Sequence, residues 1–231
     1  SCGYTHATQN ADSAYPALVA KDFGADLHSV SFDGRGLIRN YSGDDETMDT
    51  VGWRVLPDSD TLWPASVYQP QVVVINLGTS DFSDGDPGDA FDAAYIGMIR
   101  NLRIAYPQAR IFAAFGPMLG GDSYTAARAS IYGVIDAIRK DGDVAVSFIG
   151  FTPPKTGRRF GCDWHPGIDT HRAMANALET AIQKELGWAV SSPALDGAPA
   201  KTGNPAMVWV DPATSQTAGG LSPFSKNGSL Q

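Results

Sequence analysis

The sequence has few cysteines, few basic residues and no long apolar run. Two cysteines among 231 residues are too few for a disulfide-rich scaffold. No apolar run approaches the about 18 residues of a membrane-spanning helix, so a membrane is not expected as a partner. The 17 Lys and Arg residues stand against 25 Asp and Glu residues, giving a net charge of −8. A nucleic-acid partner is not expected either, because it requires a basic face.

Two chemical signatures are also missing. The histidines, cysteines and acidic residues show no metal-ligand spacing, and no glycine-rich phosphate loop follows a strand. The sequence therefore implies no cofactor. The chain does not begin with Met, so the lack of a recognisable signal peptide says nothing about its location.

Strand-like and helix-like segments alternate over most of the chain, which is typical of a parallel sheet with helices on both faces. Apolar residues at helical spacing predict helices over 11–24, 89–105, 122–140 and 169–186. Strands are predicted at 27–32, 71–77, 109–115 and 144–149. Residues 41–70 have little periodicity and predict a long loop with one helical turn.

The composition changes after Trp188. The segment 191–205 is rich in Ala, Pro, Gly and Ser, which is typical of a linker. Residues 206–210 can form a short strand, and the remainder is polar and rich in turn formers. We therefore expect a folded domain over residues 1–188, followed by a linker and tail over residues 189–231.

The most informative segment is Gly161-Cys162-Asp163-Trp164-His165-Pro166, just before the last predicted helix. A His that precedes a Pro at a helix start is held on a rigid loop with its ring free, as a general base requires. The segments 2–4 and 76–82 are expected at the same site, because ligands bind at the carboxyl ends of parallel strands. The alternative is that His165 only caps the next helix. His6, His28 and His171 lack such a motif and are expected to be structural.

Together and in this order, four segments resemble the SGNH-type (GDSL-like) hydrolases, and within them the acetyl esterases of carbohydrate esterase family 2. The segments are Ser1-Cys2-Gly3-Tyr4, the run GRGLIRNY at 34–41, the run NLGTSDFS at 76–83, and the histidine segment 161–166. The resemblance covers about residues 1–188. It implies a three-layer α/β/α, flavodoxin-like parallel sheet and acyl transfer through a serine, with His165 as the base.

The start of the chain departs from the family pattern. The family reads Gly-Asp-Ser-x-Ser/Thr before Cys-Gly-Tyr, and Ser1 matches the later Ser/Thr. The resemblance therefore places the nucleophilic serine two residues before Ser1, and its strand before that. We expect a sheet without its first strand that folds poorly alone, because two rows of backbone groups would be unpaired. In an alternative register, Ser1 itself is the nucleophile.

The resemblance also assigns the remaining site residues. The oxyanion donors would be the nucleophile's own amide, the Gly34 amide and Ser80, which replaces the Asn of a Gly-x-Asn-Asp motif. The Ser80 hydroxyl reaches less far than an Asn side-chain amide, so either the loop that carries Ser80 is repositioned or the activity is impaired. The family's usual Asp stands where this chain has Cys162, which implies a Ser–His dyad with the Trp164 carbonyl orienting the ring. Asp163 would contribute to the electrostatic field at the site, bind a sugar hydroxyl, or have no role.

Four further side chains bear on location and substrate. Cys2 and Cys162 flank segments expected at one site, so they form either a disulfide, which suggests an oxidising compartment, or two buried thiols. Trp53 and Trp63 in the long loop are either a sugar-stacking wall or loop anchors.

The resemblance implies a secreted or periplasmic esterase that removes acetyl groups from a polysaccharide such as xylan, or from its oligosaccharides. An SGNH acylhydrolase or lipase acting on lipids or small esters is one alternative. A non-catalytic carbohydrate-binding relative is another, favoured by the absent serine and by Ser80. The residues before Ser1 discriminate between enzyme and binder, since Gly-Asp-Ser there supports an enzyme.

Overall fold

The computed structural model describes residues 2–3, 5–41, 46–152, 155 and 159–190, and the backbone of 206–210. The strands are β1 Leu27–Ser31, β2 Val72–Asn76, β3 Arg110–Phe115, β4 Val146–Gly150 and β5 Ala206–Val210. The helices are α1 Tyr15–Phe23, α2 Met48–Val51, α3 Asp89–Ala105, α4 Gly121–Lys140 and α5 Ile168–Leu186. The predicted helices and strands are confirmed to within a few residues, and the long loop contains the helical turn α2 and also a 3₁₀ turn, Ala65–Val67. None of the described helices is both long and apolar enough to cross a membrane.

The five strands form one parallel sheet in the order β1-β5-β2-β3-β4. Successive side chains of a strand point to opposite faces, and all five residues of β2 are buried. Val73 and Ile75 pack in a core with α3 and α4, whereas Val72 and Val74 pack in a second core with α1 and α5. The molecule therefore has the three-layer α/β/α architecture that was expected.

β5 is the last strand in the chain but lies in the interior of the sheet. Val208 is opposite Ser29 of β1 on one side and Val74 of β2 on the other. The sequence led us to expect a sheet that lacks a central strand, and β5 occupies a central position. Part of the segment 189–231 thus contributes to the sheet. The boundary at residue 188 stays a prediction, and the rest of that segment lies outside the described residues.

The loops that carry the sequence motifs leave the same edge of the sheet. Residues 32–41 follow β1, residues 77–88 follow β2, and the chain from 151 to 167 follows β4. All strands are parallel, so these loops start from their carboxyl ends, where open α/β sheets bind ligands.

Candidate active site

His165 lies at the end of a short 3₁₀ turn, Cys162–Trp164, between β4 and α5. Its Nδ1 is 3.3 Å from the carbonyl oxygen of Cys162, and its backbone N–H donates to the same oxygen at 3.1 Å. A ring with its proton on Nδ1 donates to this carbonyl and leaves Nε2 as the basic nitrogen. The orienting carbonyl is thus that of Cys162, whereas we expected that of Trp164.

The backbone of this turn explains the difference. Asp163 and Trp164 both have left-handed conformations, with φ of 51° and 62°. They turn the chain so that the Cys162 carbonyl faces the residue three positions later. Each such conformation in a residue with a side chain costs on the order of 1 kcal/mol and persists only where the surroundings fix it.

Several contacts fix the turn in this conformation. The Gly161 N–H donates to His165 O at 2.7 Å, the Asp163 N–H to Cys2 O at 2.9 Å and the Gly167 N–H to Arg159 O at 2.9 Å. Cys2 and Cys162 form a disulfide, which decides between the two alternatives for the cysteines. The start of the chain is therefore fastened to the histidine loop, as expected. An oxidising compartment stays a prediction.

Two exposed aromatic rings lie beside His165. Trp164 is 64% exposed and Phe160 is 48% exposed. Their ring centroids are 5.8 Å apart at an interplanar angle of 71°, and the Arg159 guanidinium lies 5.5 Å from the Phe160 centroid. Asp163 is also exposed. The loop thus presents an apolar surface and a carboxylate to the solvent.

His171, on α5, is a second histidine in the electrostatic surroundings of His165. It is buried, its Nδ1 accepts the Tyr15 N–H at 3.3 Å, and its ring stacks with Tyr15 at 6.4 Å. Burial, and secondarily the charge of His165, lowers the pKa of His171 from 6.5 to about 4. The expectation of a structural role for His171 fits this burial, but its electrostatic interaction with His165 could not be predicted from the sequence.

We expect His171 to make the fold acid-sensitive. Between pH 6.5 and about 4 the unfolded chain binds a proton at this side chain and the folded chain does not. Stability is therefore lost as the pH falls, by about 2–3 kcal/mol at pH 4.5. Urea unfolding at pH 7 and pH 4.5 gives a free energy of unfolding at each pH. The difference between these two free energies should be smaller in His171→Gln than in the wild type by that amount. An unchanged difference would contradict the assignment.

A second group of candidate residues lies in the loops after β1 and β2. Gly34 has a φ of 70°, which favours glycine, and its carbonyl accepts the Tyr41 N–H at 2.8 Å. No described residue accepts a hydrogen bond from the Gly34 amide. An oxyanion donor needs an amide that can turn to the ligand, and this role for Gly34 stays a prediction.

Ser80 and Asp81 lie in the turn after β2. Ser80 is only 2% exposed, and its hydroxyl is buried, so its role as an oxyanion donor stays a prediction. Asp81 has no exposed surface, and its carboxylate accepts the N–H groups of Leu37, Ile38 and Arg39 at 2.9, 2.8 and 3.0 Å. Desolvation raises the pKa of Asp81, and these backbone bonds oppose the rise.

Trp53 and Trp63 do not belong to either group. They line a small cavity with His28, Val30 and Tyr106, among others. The Trp63 ring packs edge-on against His28, near the amino end of β1, with centroids 4.5 Å apart. This position fits loop anchors and not a sugar-stacking wall at the opposite edge. In the described ranges, no cluster of three or more His, Cys, Asp or Glu side chains could hold a metal ion.

Residues 1–173 match the model of the GDSL-like Lipase/Acylhydrolase family. The chain belongs to this family. The match includes both groups of candidate residues, and the expected resemblance is confirmed.

The more similar relatives within this family are carbohydrate esterases. The chain is 37% identical over 188 residues to Cellulase/esterase CelE of Acetivibrio thermocellus, covering 80% of this chain and 23% of that protein. It is 31% identical over 184 residues to an Acetylxylan esterase / glucomannan deacetylase of Cellvibrio japonicus, covering 78% and 50%. The chain thus spans half or less of these two curated relatives.

A solved structure shares the architecture. A family two carbohydrate esterase from Clostridium thermocellum in complex with cellohexaose has a TM-score of 0.78 at 36% identity, covering 81% of this chain and 58% of that one. The SGNH-type fold is therefore shown for this member of the GDSL-like family.

Two features of the candidate site were missed from the sequence. The Cys162 carbonyl depends on two left-handed residues that are not glycines, and the sequence carries no signal for that. The bonds from Asp81 to the Gly34 loop were also missed, although Asp81 stood in a quoted motif. An acidic residue in the loop after a buried strand was the available signal.

Proposed function

We propose that this chain provides the catalytic domain of a carboxylic ester hydrolase that removes acetyl groups from a polysaccharide such as xylan. The observation that carries the proposal is His165, held with Nδ1 at a carbonyl on a loop fixed by a disulfide and backbone bonds. The named activities of the relatives, cellulase/esterase and acetylxylan esterase, support the same chemistry.

In the proposed reaction, a serine expected two residues before Ser1 is the nucleophile. That serine would stand three residues before Cys2, and three extended residues span at most about 11 Å. Because Cys2 is bonded to the histidine loop, we expect the serine close to that loop. His165 would accept its proton, the serine oxygen would attack the acetyl carbonyl, and His165 would return the proton to the departing sugar hydroxyl.

The oxyanion of the tetrahedral intermediate would accept the Gly34 N–H and the nucleophile's own N–H. Ser80 would contribute only after a shift of its turn, since its hydroxyl is buried. Water activated by His165 would then hydrolyse the acyl-enzyme. No step in this sequence calls for a cofactor.

The exposed pair Trp164 and Phe160 supports a carbohydrate substrate. Aromatic faces beside the base offer apolar area to a pyranose ring, and the carboxylate of Asp163 can accept from a sugar hydroxyl. A secreted or periplasmic location follows from the proposed substrate and the disulfide, and it stays part of the proposal.

We expect residues 1–231 alone to show no turnover of p-nitrophenyl acetate, because the nucleophile and its amide are absent. A form that also carries the expected Gly-Asp-Ser segment should hydrolyse this ester. Its matched control has Ala in place of that serine and should be inactive. Turnover by residues 1–231 that is lost in both Ser1→Ala and His165→Ala would instead identify Ser1 as the nucleophile.

Carbohydrate binding without catalysis is a second candidate, favoured by the same exposed aromatic pair. Calorimetric titration with xylo- and cello-oligosaccharides tests it. A binder keeps its affinity in His165→Ala and loses it in Trp164→Ala, with no ester hydrolysis by the longer form. For an esterase, rates on nitrophenyl esters of increasing acyl length separate a deacetylase, which prefers acetate, from a lipase.

A further inference from the structure

Asp81 is a buried carboxylate that accepts hydrogen bonds from three backbone N–H groups of a different loop. Its Oδ2 accepts the Leu37 N–H at 2.9 Å, and its Oδ1 accepts the N–H groups of Ile38 and Arg39 at 2.8 and 3.0 Å. Three successive amides that converge on one carboxylate form a concave anion site in the backbone. Asp81 therefore determines the course of the loop that follows Gly34.

The same two loops are joined in the reverse direction by Arg39. Its guanidinium donates to the carbonyl oxygens of Asp81 and Gly85, both in the turn after β2. Asp81 thus binds the backbone of the loop after β1, and Arg39 from that loop binds the backbone of the turn after β2. Bonds in both directions restrict sliding as well as separation of the loops.

Gly36 shows how close this approach is. A Cβ on Gly36 would lie 2.7 Å from Asp81 Oδ2. Only glycine lets the backbone pass against the carboxylate at this distance. The Gly36 N–H is bonded within its own loop, to Asn40 Oδ1 at 3.1 Å, and this bond stabilises the internal shape of the loop.

We propose that Asp81 is a positioning residue that fixes the Gly34 loop against the turn of Ser80, and so sets where the Gly34 amide points. The proposal rests on the proposed function, in which that amide is an oxyanion donor. Since Ser80 and Asp81 are neighbours, one turn holds both the second candidate donor and the anchor of the first. The separation of the two donors is then determined by a single carboxylate.

The charge of Asp81 is part of the argument. A carboxylate has two acceptor oxygens and can take all three N–H groups, whereas Asn has one and would turn an NH₂ group toward a donor. The Arg39 guanidinium donates to the Asp81 carbonyl oxygen, and the buried Tyr95 is a titratable group whose pKa the Asp81 charge raises. Substitution by Asn should therefore release the loop even though the shape is kept.

The test compares Asp81→Asn with Asp84→Asn, which changes an exposed Asp in the same turn. Hydrogen exchange followed by NMR on residues 1–231 reports the amides of Leu37, Ile38 and Arg39. We expect them to exchange at least about tenfold faster in Asp81→Asn and unchanged in the control. In the form with the nucleophilic serine, kcat should fall roughly 100-fold while KM changes less than about threefold.

Each outcome decides the proposal. Unchanged exchange at the three amides overturns the anchoring. Faster exchange with an unchanged kcat overturns the positioning of the donor. If the longer form hydrolyses no ester at all, the proposed function fails, and the exchange rates still decide whether Asp81 holds the loop.

Should Asp81→Asn fail to fold, Arg39→Lys provides the second variant. It removes the paired guanidinium bonds to the turn and leaves the carboxylate in place. The same amides should then exchange about threefold faster. Exchange at the wild-type rate would count against the proposal.

Discussion

His165→Ala should lower kcat on an acetyl ester by at least about 10³-fold in a form that carries the nucleophilic serine. The serine hydroxyl is a weak nucleophile until a base accepts its proton, and His165 is the proposed base. KM should change little, because the imidazole acts mainly in the transition state. Initial rates with p-nitrophenyl acetate over a range of concentrations measure both constants.

His28→Gln is the matched control, since His28 lies near the amino end of β1, away from this edge. It should leave kcat within about twofold of the wild type. Thermal unfolding of both variants checks that the fold is kept. If His165→Ala retained more than about a tenth of the wild-type kcat, roughly 1.4 kcal/mol, the assignment of His165 as the base would be wrong.

Reduction of the Cys2–Cys162 disulfide should have the largest effect on stability. The bond joins residues 160 positions apart in the sequence. In the chain-entropy treatment a loop of this length stabilises the fold by about 5 kcal/mol, and measured values are typically about 2–4 kcal/mol. That is a large share of the about 5–15 kcal/mol by which domains are stable. Urea unfolding with and without dithiothreitol should show the loss as a lower midpoint.

The Cys2→Ser, Cys162→Ser double variant is the control for the reductant. It should unfold at the midpoint of the reduced wild type and be insensitive to dithiothreitol. Because the bond also holds the turn beside His165, kcat of the longer form should fall with it. Equal midpoints for the oxidised and reduced wild type would contradict this prediction.

Local sequence signals predicted most of the elements. The prediction for α3 matches its observed bounds, 89–105, because its apolar residues repeat at helical spacing over five turns. The strand at 206–210 was also anticipated as a local segment. Its place between β1 and β2 was not predicted. The partners of a strand are determined by long-range pairing, and an apolar run in the sequence does not indicate which strands they are.

The candidate site was predictable to a similar extent. The segment around His165 was recognised from its motif, since a His before a Pro at a helix start indicates a rigid loop from local sequence alone. The carbonyl at its Nδ1 was misassigned, because the conformations of Asp163 and Trp164 are imposed by contacts with distant parts of the chain. Asp81 was part of a motif recognised in the sequence. Its hydrogen bonds to the loop after β1 could not be predicted, because they depend on how the loops after β1 and β2 pack together.

The interior position of β5 affects the order in which this protein can be completed on the ribosome. Synthesis at about 5–20 residues per second delivers the other described strands and helices, β1 to β4 and α1 to α5, before Ala206 emerges. Until then, none of the described strands lies between β1 and β2, and their facing edges can pair with other nascent chains. A product that stops before Ala206 would lack β5 permanently. We expect such products to aggregate or be degraded, although they contain the histidine loop and both candidate oxyanion donors.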